Sequence, residues 1–181
     1  RVDLVGGDTS AATQRLIISV TAVGKVDKNK VCRRKGVQPN DIICVTGDLG
    51  AAYLGLQVLN REKEVWAGDA AMQPDLAPYE YLVRRQLKPE ARTDMVHAMR
   101  EMSLVPTAMI DVSDGLASEL FHLSQASQVG VQIYEDKMPI DKRTYETATA
   151  FNLNPTVCAM HGGEDYELLF TSRPVDLPQV E

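Results

Sequence analysis

The spacing of apolar positions changes several times along this chain, and each change marks an element. Leu16-Ile-Ile-Ser-Val-Thr-Ala-Val23 is dense in β-branched residues and predicts a strand. Arg1 to Val5, Ile42 to Thr46, Thr107 to Asp111, Val129 to Tyr134 and Glu167 to Thr171 predict further strands. Helical spacing appears in Ala51 to Leu56, in Tyr81, Leu82 and Leu87 behind Pro78, and in Met95, Val96, Met99 and Met102 behind a Thr93 or Asp94 cap. It returns in Leu116, Ala117, Leu120 and Leu123, and in Thr144 to Phe151. Lys25 to Asn40 is polar and predicts a connector. Strands alternating with helices favour α/β layering.

Composition narrows the picture. At 181 residues and 44% apolar the chain can bury a core of one or two domains. A net charge of -6 and a pI near 5.1 leave no basic block for nucleic acid or a membrane surface. The densest basic cluster, Arg33-Arg34-Lys35, fits a solvated turn. Cys32, Cys44 and Cys158 lack metal-ligand spacing and read as reduced thiols in a cytoplasmic protein. No run approaches the ~20 apolar residues of a membrane span.

Three short segments carry candidate chemistry. In Gly6-Gly7-Asp8-Thr9-Ser10 the glycines let backbone N–H groups approach an anion, and Asp8 can hold Mg²⁺. A plain turn is the alternative. In Asp111-Val112-Ser113-Asp114-Gly115 a strand end delivers two acids and a hydroxyl to a helix start, a place suited to a metal held against a phosphate. A capped helix start with no ligand is the alternative. A calcium loop fails here, because His122 stands where a bidentate Glu is needed. In His161-Gly162-Gly163-Glu164-Asp165-Tyr166-Glu167 the crowded acids call for a cationic partner, or form an exposed acidic loop. Gly47-Asp48-Leu49-Gly50 lacks the Lys-Ser/Thr of a P-loop and reads as a packing turn.

In this order the segments resemble the thiamine-monophosphate kinase family, within the aminoimidazole ribonucleotide synthetase superfamily. The likeness rests on Gly6-Gly7-Asp8-Thr9-Ser10 with Ile17 to Gly24, and on Arg34-Lys35-Gly36-Val37. It rests further on Ile110-Asp111-Val112-Ser113-Asp114-Gly115-Leu116 and Gly162-Gly163-Glu164-Asp165-Tyr166-Glu167-Leu168. The resemblance implies a two-domain α/β (α+β) architecture, truncated here at both ends. Residues 1–24 would be the tail of an N-terminal ATP- and Mg²⁺-binding domain, and 25–181 most of a C-terminal domain. It implies ATP-dependent, Mg²⁺-dependent phosphorylation of thiamine monophosphate to thiamine diphosphate, in a cytoplasmic homodimer. Asp8, Asp111 and Asp114 would bind Mg²⁺. Gly7, Asp8, Ser113 and Arg34, or its neighbour Arg33, would contact ATP. Glu164 and Asp165 would face the thiamine moiety. Further metal motifs before Arg1 and a substrate-stacking aromatic after Glu181 are also implied. Two alternatives stand beside this reading. One is another ATP-using activity of the superfamily, and the other a non-catalytic nucleotide-binding or dimerisation fragment.

Overall fold

A computed structural model describes residues 2–11, 13–69 and 71–179. Three strands form one sheet in the order β1-β3-β2, both pairings antiparallel: β1 is Ile42–Val45, β2 is Ala108–Asp111 and β3 is Leu168–Ser172. Register pairs Ile42 with Ser172 and Asp111 with Leu168. Among the described residues there are six α-helices: α1 Ala51–Gly68, α2 Glu80–Leu87, α3 Thr93–Glu101, α4 Leu116–Ser127, α5 Lys142–Ala150 and α6 Pro155–His161.

Strand alternation explains the layering. In β2, Ala108 and Ile110 point into a core shared with Leu116, Leu120 and Leu123 of α4, while Met109 turns to the opposite face. In β3, Leu169 joins the α4 side, and Phe170 meets Met99 of α3 and Leu104. Both faces of the sheet are therefore covered. A second cluster of Ala51, Leu54, Leu82, Ala148 and Cys158 packs α1, α2, α5 and α6 together. Asn154 caps α6 by accepting from Val157 N (3.2 Å), with Pro155 at its first position, and Asp141 caps α5 by accepting from Arg143 N (2.8 Å).

Several expectations need correction. The α/β (α+β) class itself holds, with an antiparallel sheet; the corrections lie at individual elements. The described part of the expected 1–5 strand (Arg1 lies outside the described residues), Leu16 to Val23, and Val129 to Tyr134 carry no strand. Ile17 and Ile18 are 80% and 76% exposed. β-branched residues favour a pleated surface only when a neighbouring strand pairs with it, and these segments have none among the described residues. Arg92, rather than Thr93 or Asp94, occupies the α3 cap position. The Gly47–Gly50 turn does pack, with Leu49 fully buried.

Candidate functional site

Two loops enclose the candidate site. One joins β2 to α4 through Val112–Gly115, and the other leads from α6 into β3 through Gly162–Glu167. Their backbones are laced together: Val112 N donates to Glu167 O (2.8 Å), Tyr166 N to Val112 O (2.9 Å) and Glu164 N to Ser113 O (2.8 Å). The approach is close enough to require glycine at Gly163, where φ is +69° and a Cβ would stand 2.5 Å from Ser113 O. Glu164 and Tyr166 also hold positive φ, 62° and 52°. Left-handed backbone at a non-glycine residue costs about 1–3 kcal/mol, so this loop carries two such costs within three residues.

The laced loops put Asp111, Asp114 and Glu164 on an exposed face. Tyr166 OH donates to Glu164 Oε2 (3.2 Å). Its phenol is pushed above the ordinary value, first by the Glu164 charge, then by burial, with Asp111 and Asp114 adding. Three carboxylates therefore act on one phenol.

Other acids of the same segments turn inward. Asp165 is 1% exposed and accepts from Gly50 N (2.7 Å) and Ala52 N (3.2 Å), capping α1 from across the fold. Burial raises its carboxyl to about 6 despite those bonds and the nearby Arg85 guanidinium. Glu167, 2% exposed, is clasped by Arg85 Nη1 (2.9 Å) and Arg92 Nη1 (2.5 Å) and accepts from Thr46 OH (2.5 Å). Asp48 accepts from Tyr81 OH (2.5 Å), and burial raises its carboxyl as well. The Arg143 guanidinium lies 3.5 Å above the Tyr81 ring.

The structure thus joins the second and third sequence segments and leaves the first apart. Asp8 is exposed and bonds locally, its Oδ1 accepting from Thr9 N (2.8 Å), and Gly7 has no neighbour within 4 Å of a built Cβ. Arg33 and Arg34 are exposed, with Arg33 O accepting from Met109 N (2.9 Å) along β2. Of the expected substrate pair, Glu164 faces solvent. Asp165 does not, because the free N–H groups of α1 draw it into the core. A cavity of about 580 Å³ lies elsewhere, against α2 and α3, lined by Tyr81, Arg84, Arg85, Lys88, Arg92 and Glu167 among others. Its lining includes none of Asp111, Asp114 and Glu164, so its size does not mark the chemistry.

Among the described residues no group of three or more His, Cys, Asp or Glu is arranged to hold a metal ion. Mg²⁺ does not require such a cage, since it is commonly held by one or two carboxylates together with substrate phosphates. The exposed Asp111 and Asp114 fit that mode. Sequence reasoning missed Glu119, which is 2% exposed and accepts from Asp114 N (3.1 Å). It also missed the Arg85–Glu167–Arg92 clasp. Glu119 stands outside capping-box spacing, and the arginines meet their partner across 82 and 75 positions, so no local pattern announces either.

Comparison with known proteins adds an independent line. Residues 38–173 match the family model described as AIR synthase related protein, C-terminal domain. The chain is 36% identical over 171 residues to the thiamine-monophosphate kinase of Bacillus subtilis (strain 168), covering 94% of this chain and 48% of that protein. It is 34% identical to the thiamine-monophosphate kinase of Aquifex aeolicus (strain VF5), covering 94% and 51%. The chain spans about half the length of the curated relatives it matches. Among solved structures it superposes on thiamine-monophosphate kinase from Stenotrophomonas maltophilia K279a with a TM-score of 0.70 at 31% identity, covering 86% of this chain and 46% of the other. It superposes on AaThiL complexed with AMPPCP and TMP with a TM-score of 0.67 at 31% identity, covering 78% and 42%.

Proposed function

This chain belongs to the AIR synthase related family through its C-terminal domain, and from that premise we propose that the whole protein is a thiamine-phosphate kinase. It transfers the γ-phosphoryl group of ATP to the phosphate of thiamine monophosphate, releasing ADP and thiamine diphosphate. The observation that carries this reading is the lacing of the Asp111–Gly115 loop to the Gly162–Glu167 loop, which sets Asp111 and Asp114 beside Glu164. The named activity of the relatives and the AMPPCP and TMP bound in one structural neighbour support it.

The roles follow from the chemistry of each group. Asp111 and Asp114 would hold Mg²⁺, which when bound neutralises charge on the phosphates, and Asp8, which lies apart from them here, would join them once residues 1–24 are seated in the first domain. Ser113 contacts the nucleotide, Gly7 lets backbone approach a phosphate, and Arg34 adds a cation. Glu164 faces the positively charged thiazolium ring, where a carboxylate gives both attraction and orientation. Asp165 serves from the interior, tying the loop to α1. The acceptor is already anionic at neutral pH and needs little base catalysis, so the work lies in holding two repelling anions in line. At ~4 Å two unit charges repel by about 4 kcal/mol at an effective dielectric of 20.

Residues 1–24 belong, in this reading, to the end of a first domain and 25–181 to a second. The free thiols among the described residues support a reducing, cytoplasmic setting. The exposed apolar run at 16–23 supports a surface covered in a homodimer, which light scattering of the full-length protein tests. A second reading, nucleotide binding without turnover, is favoured for the isolated 181 residues because they span about half the length of the relatives whose activity is named. The deciding assay uses the full-length protein with Asp111→Asn and Asp114→Asn at saturating Mg²⁺. Each is expected to lower thiamine diphosphate formation by about a hundredfold, the scale of losing one charge-stabilising group. Wild-type turnover in both removes the metal role.

A further inference from the structure

Glu119 is an acid to which the proposed chemistry gives no part. It stands in the first turn of α4, 2% exposed, between the core positions Leu116 and Leu120. No ion pair to it is seen among the described residues. A buried carboxylate without a cation is costly, and the favourable end of the helix dipole offsets part of that cost. An apolar side chain here would simply extend the core. What the carboxylate adds is an acceptor: Glu119 Oε1 receives Asp114 N–H (3.1 Å) and the Ser113 hydroxyl (3.4 Å). Glu119 N in turn donates to Gly115 O (3.2 Å).

The Val112–Gly115 loop is thus held from two sides. Glu164 N and Tyr166 N grip the Ser113 and Val112 carbonyls on one side, and Glu119 grips Asp114 N and Ser113 Oγ on the other. Without the second grip, Asp114 N–H would be left without a protein acceptor and Ser113 Oγ would be free to rotate. We propose that Glu119 is a positioning residue whose carboxylate fixes the Ser113–Asp114 turn, so that the Asp111 and Asp114 carboxylates and the Ser113 hydroxyl are presented together. The geometry stands by itself, and its consequence for cation and nucleotide rests on the phosphotransfer reading.

The test compares Glu119→Ala and Glu119→Gln with wild type in the full-length protein. Three quantities are measured: hydrogen exchange of the Asp114 amide in metal-free protein, Mn²⁺ affinity by electron paramagnetic resonance, and kcat and KM for ATP. Glu119→Ala is expected to speed Asp114 exchange and to weaken Mn²⁺ binding about tenfold, as losses behind metal ligands do. It should lower kcat by more than it raises KM. Glu119→Gln keeps an oxygen acceptor and is expected to recover most of all three. Unchanged exchange and Mn²⁺ affinity in Glu119→Ala would overturn the inference, as would a Gln variant no better than Ala. If wild type binds no Mn²⁺ while Glu119→Ala still exposes the Asp114 amide, positioning is supported and the metal reading falls.

Discussion

Asp165 and Glu167 are buried acids two positions apart, and they make opposite demands on their surroundings. Glu167 is matched by two guanidiniums, so Glu167→Ala removes the anion they share and, among the described residues, leaves Arg85 only Asp165 at 3.9 Å and Arg92 only the exposed Asp94 at 3.1 Å as ionic partners. Breaking a buried pair costs about 3–5 kcal/mol, and the partial exposure of both arginines points to the lower end. Urea unfolding checks this, and a loss under 1 kcal/mol (roughly a surface-pair value) would mean the clasp is weak. Asp165 has its carboxyl raised to about 6, above the ordinary 3.8. The native state therefore binds this proton more tightly than the unfolded chain does. Its contribution to stability is full below the ordinary value and is lost as pH rises through about 6. The fall in melting temperature between about pH 4 and pH 7 should accordingly be smaller in Asp165→Asn than in wild type. An equal fall in both proteins would reassign the slope. None of this was legible in the sequence. The Gly-Gly-Glu-Asp-Tyr-Glu string marks Glu164, Asp165 and Glu167 as one acidic group, yet the fold exposes the first and buries the other two, because only a three-dimensional neighbour such as Gly50 N or Arg92 can draw a carboxylate inward.

At the scale of elements, sequence and structure coincide most closely where local signals and tertiary contacts agree. Leu116–Ser127 is a helix over the span its apolar spacing predicted, and the three sheet strands lie within a residue or two of their expected positions. α6 was missed, since seven residues give too few turns for a period, although Asn154-Pro155 supplied a cap and a first-turn proline. The false strands at 16–23 and 129–134 have the composition of strands but no partner. Helix packing holds a further hidden constraint. Gly55 lies inside α1, where alanine is ordinarily favoured by about 1 kcal/mol. A Cβ there would stand 2.1 Å from Leu82 O of α2, and that backbone oxygen cannot rotate away. Overpacking costs of about 1–3 kcal/mol should win, so Gly55→Ala is expected to lower the urea midpoint. A more stable variant would show that the two helices separate easily.

Across the whole molecule, residues 2–26 and the body of the fold contrast sharply. Val2, Leu4, Val5, Leu16, Ile17, Ile18, Val20 and Val23 are all at least 76% exposed. Removing residues 1–26 should leave the unfolding free energy of the remainder within about 0.5 kcal/mol, because the described residues of this segment add nothing to the core. Light scattering should show less self-association after the deletion, and a large drop in stability would instead place this segment in the core. The motifs of the candidate site were readable as strings. Which of them meet, and which acids support the meeting from behind, depended on contacts across the full length.

The place of β3 in the sheet also bears on how the chain acquires its shape. β3 is the central strand, yet it comes after both of its neighbours in sequence, and its register joins Ile42 to Ser172, 130 positions away. During synthesis β1 and β2 emerge with no strand between them, and the site loop that leads into β3 emerges later still. Such distant closure is slow and leaves apolar strand faces open in the meantime. The sheet is thus most exposed to wrong partners just before β3 arrives, and the acidic site takes form in the same step that closes it.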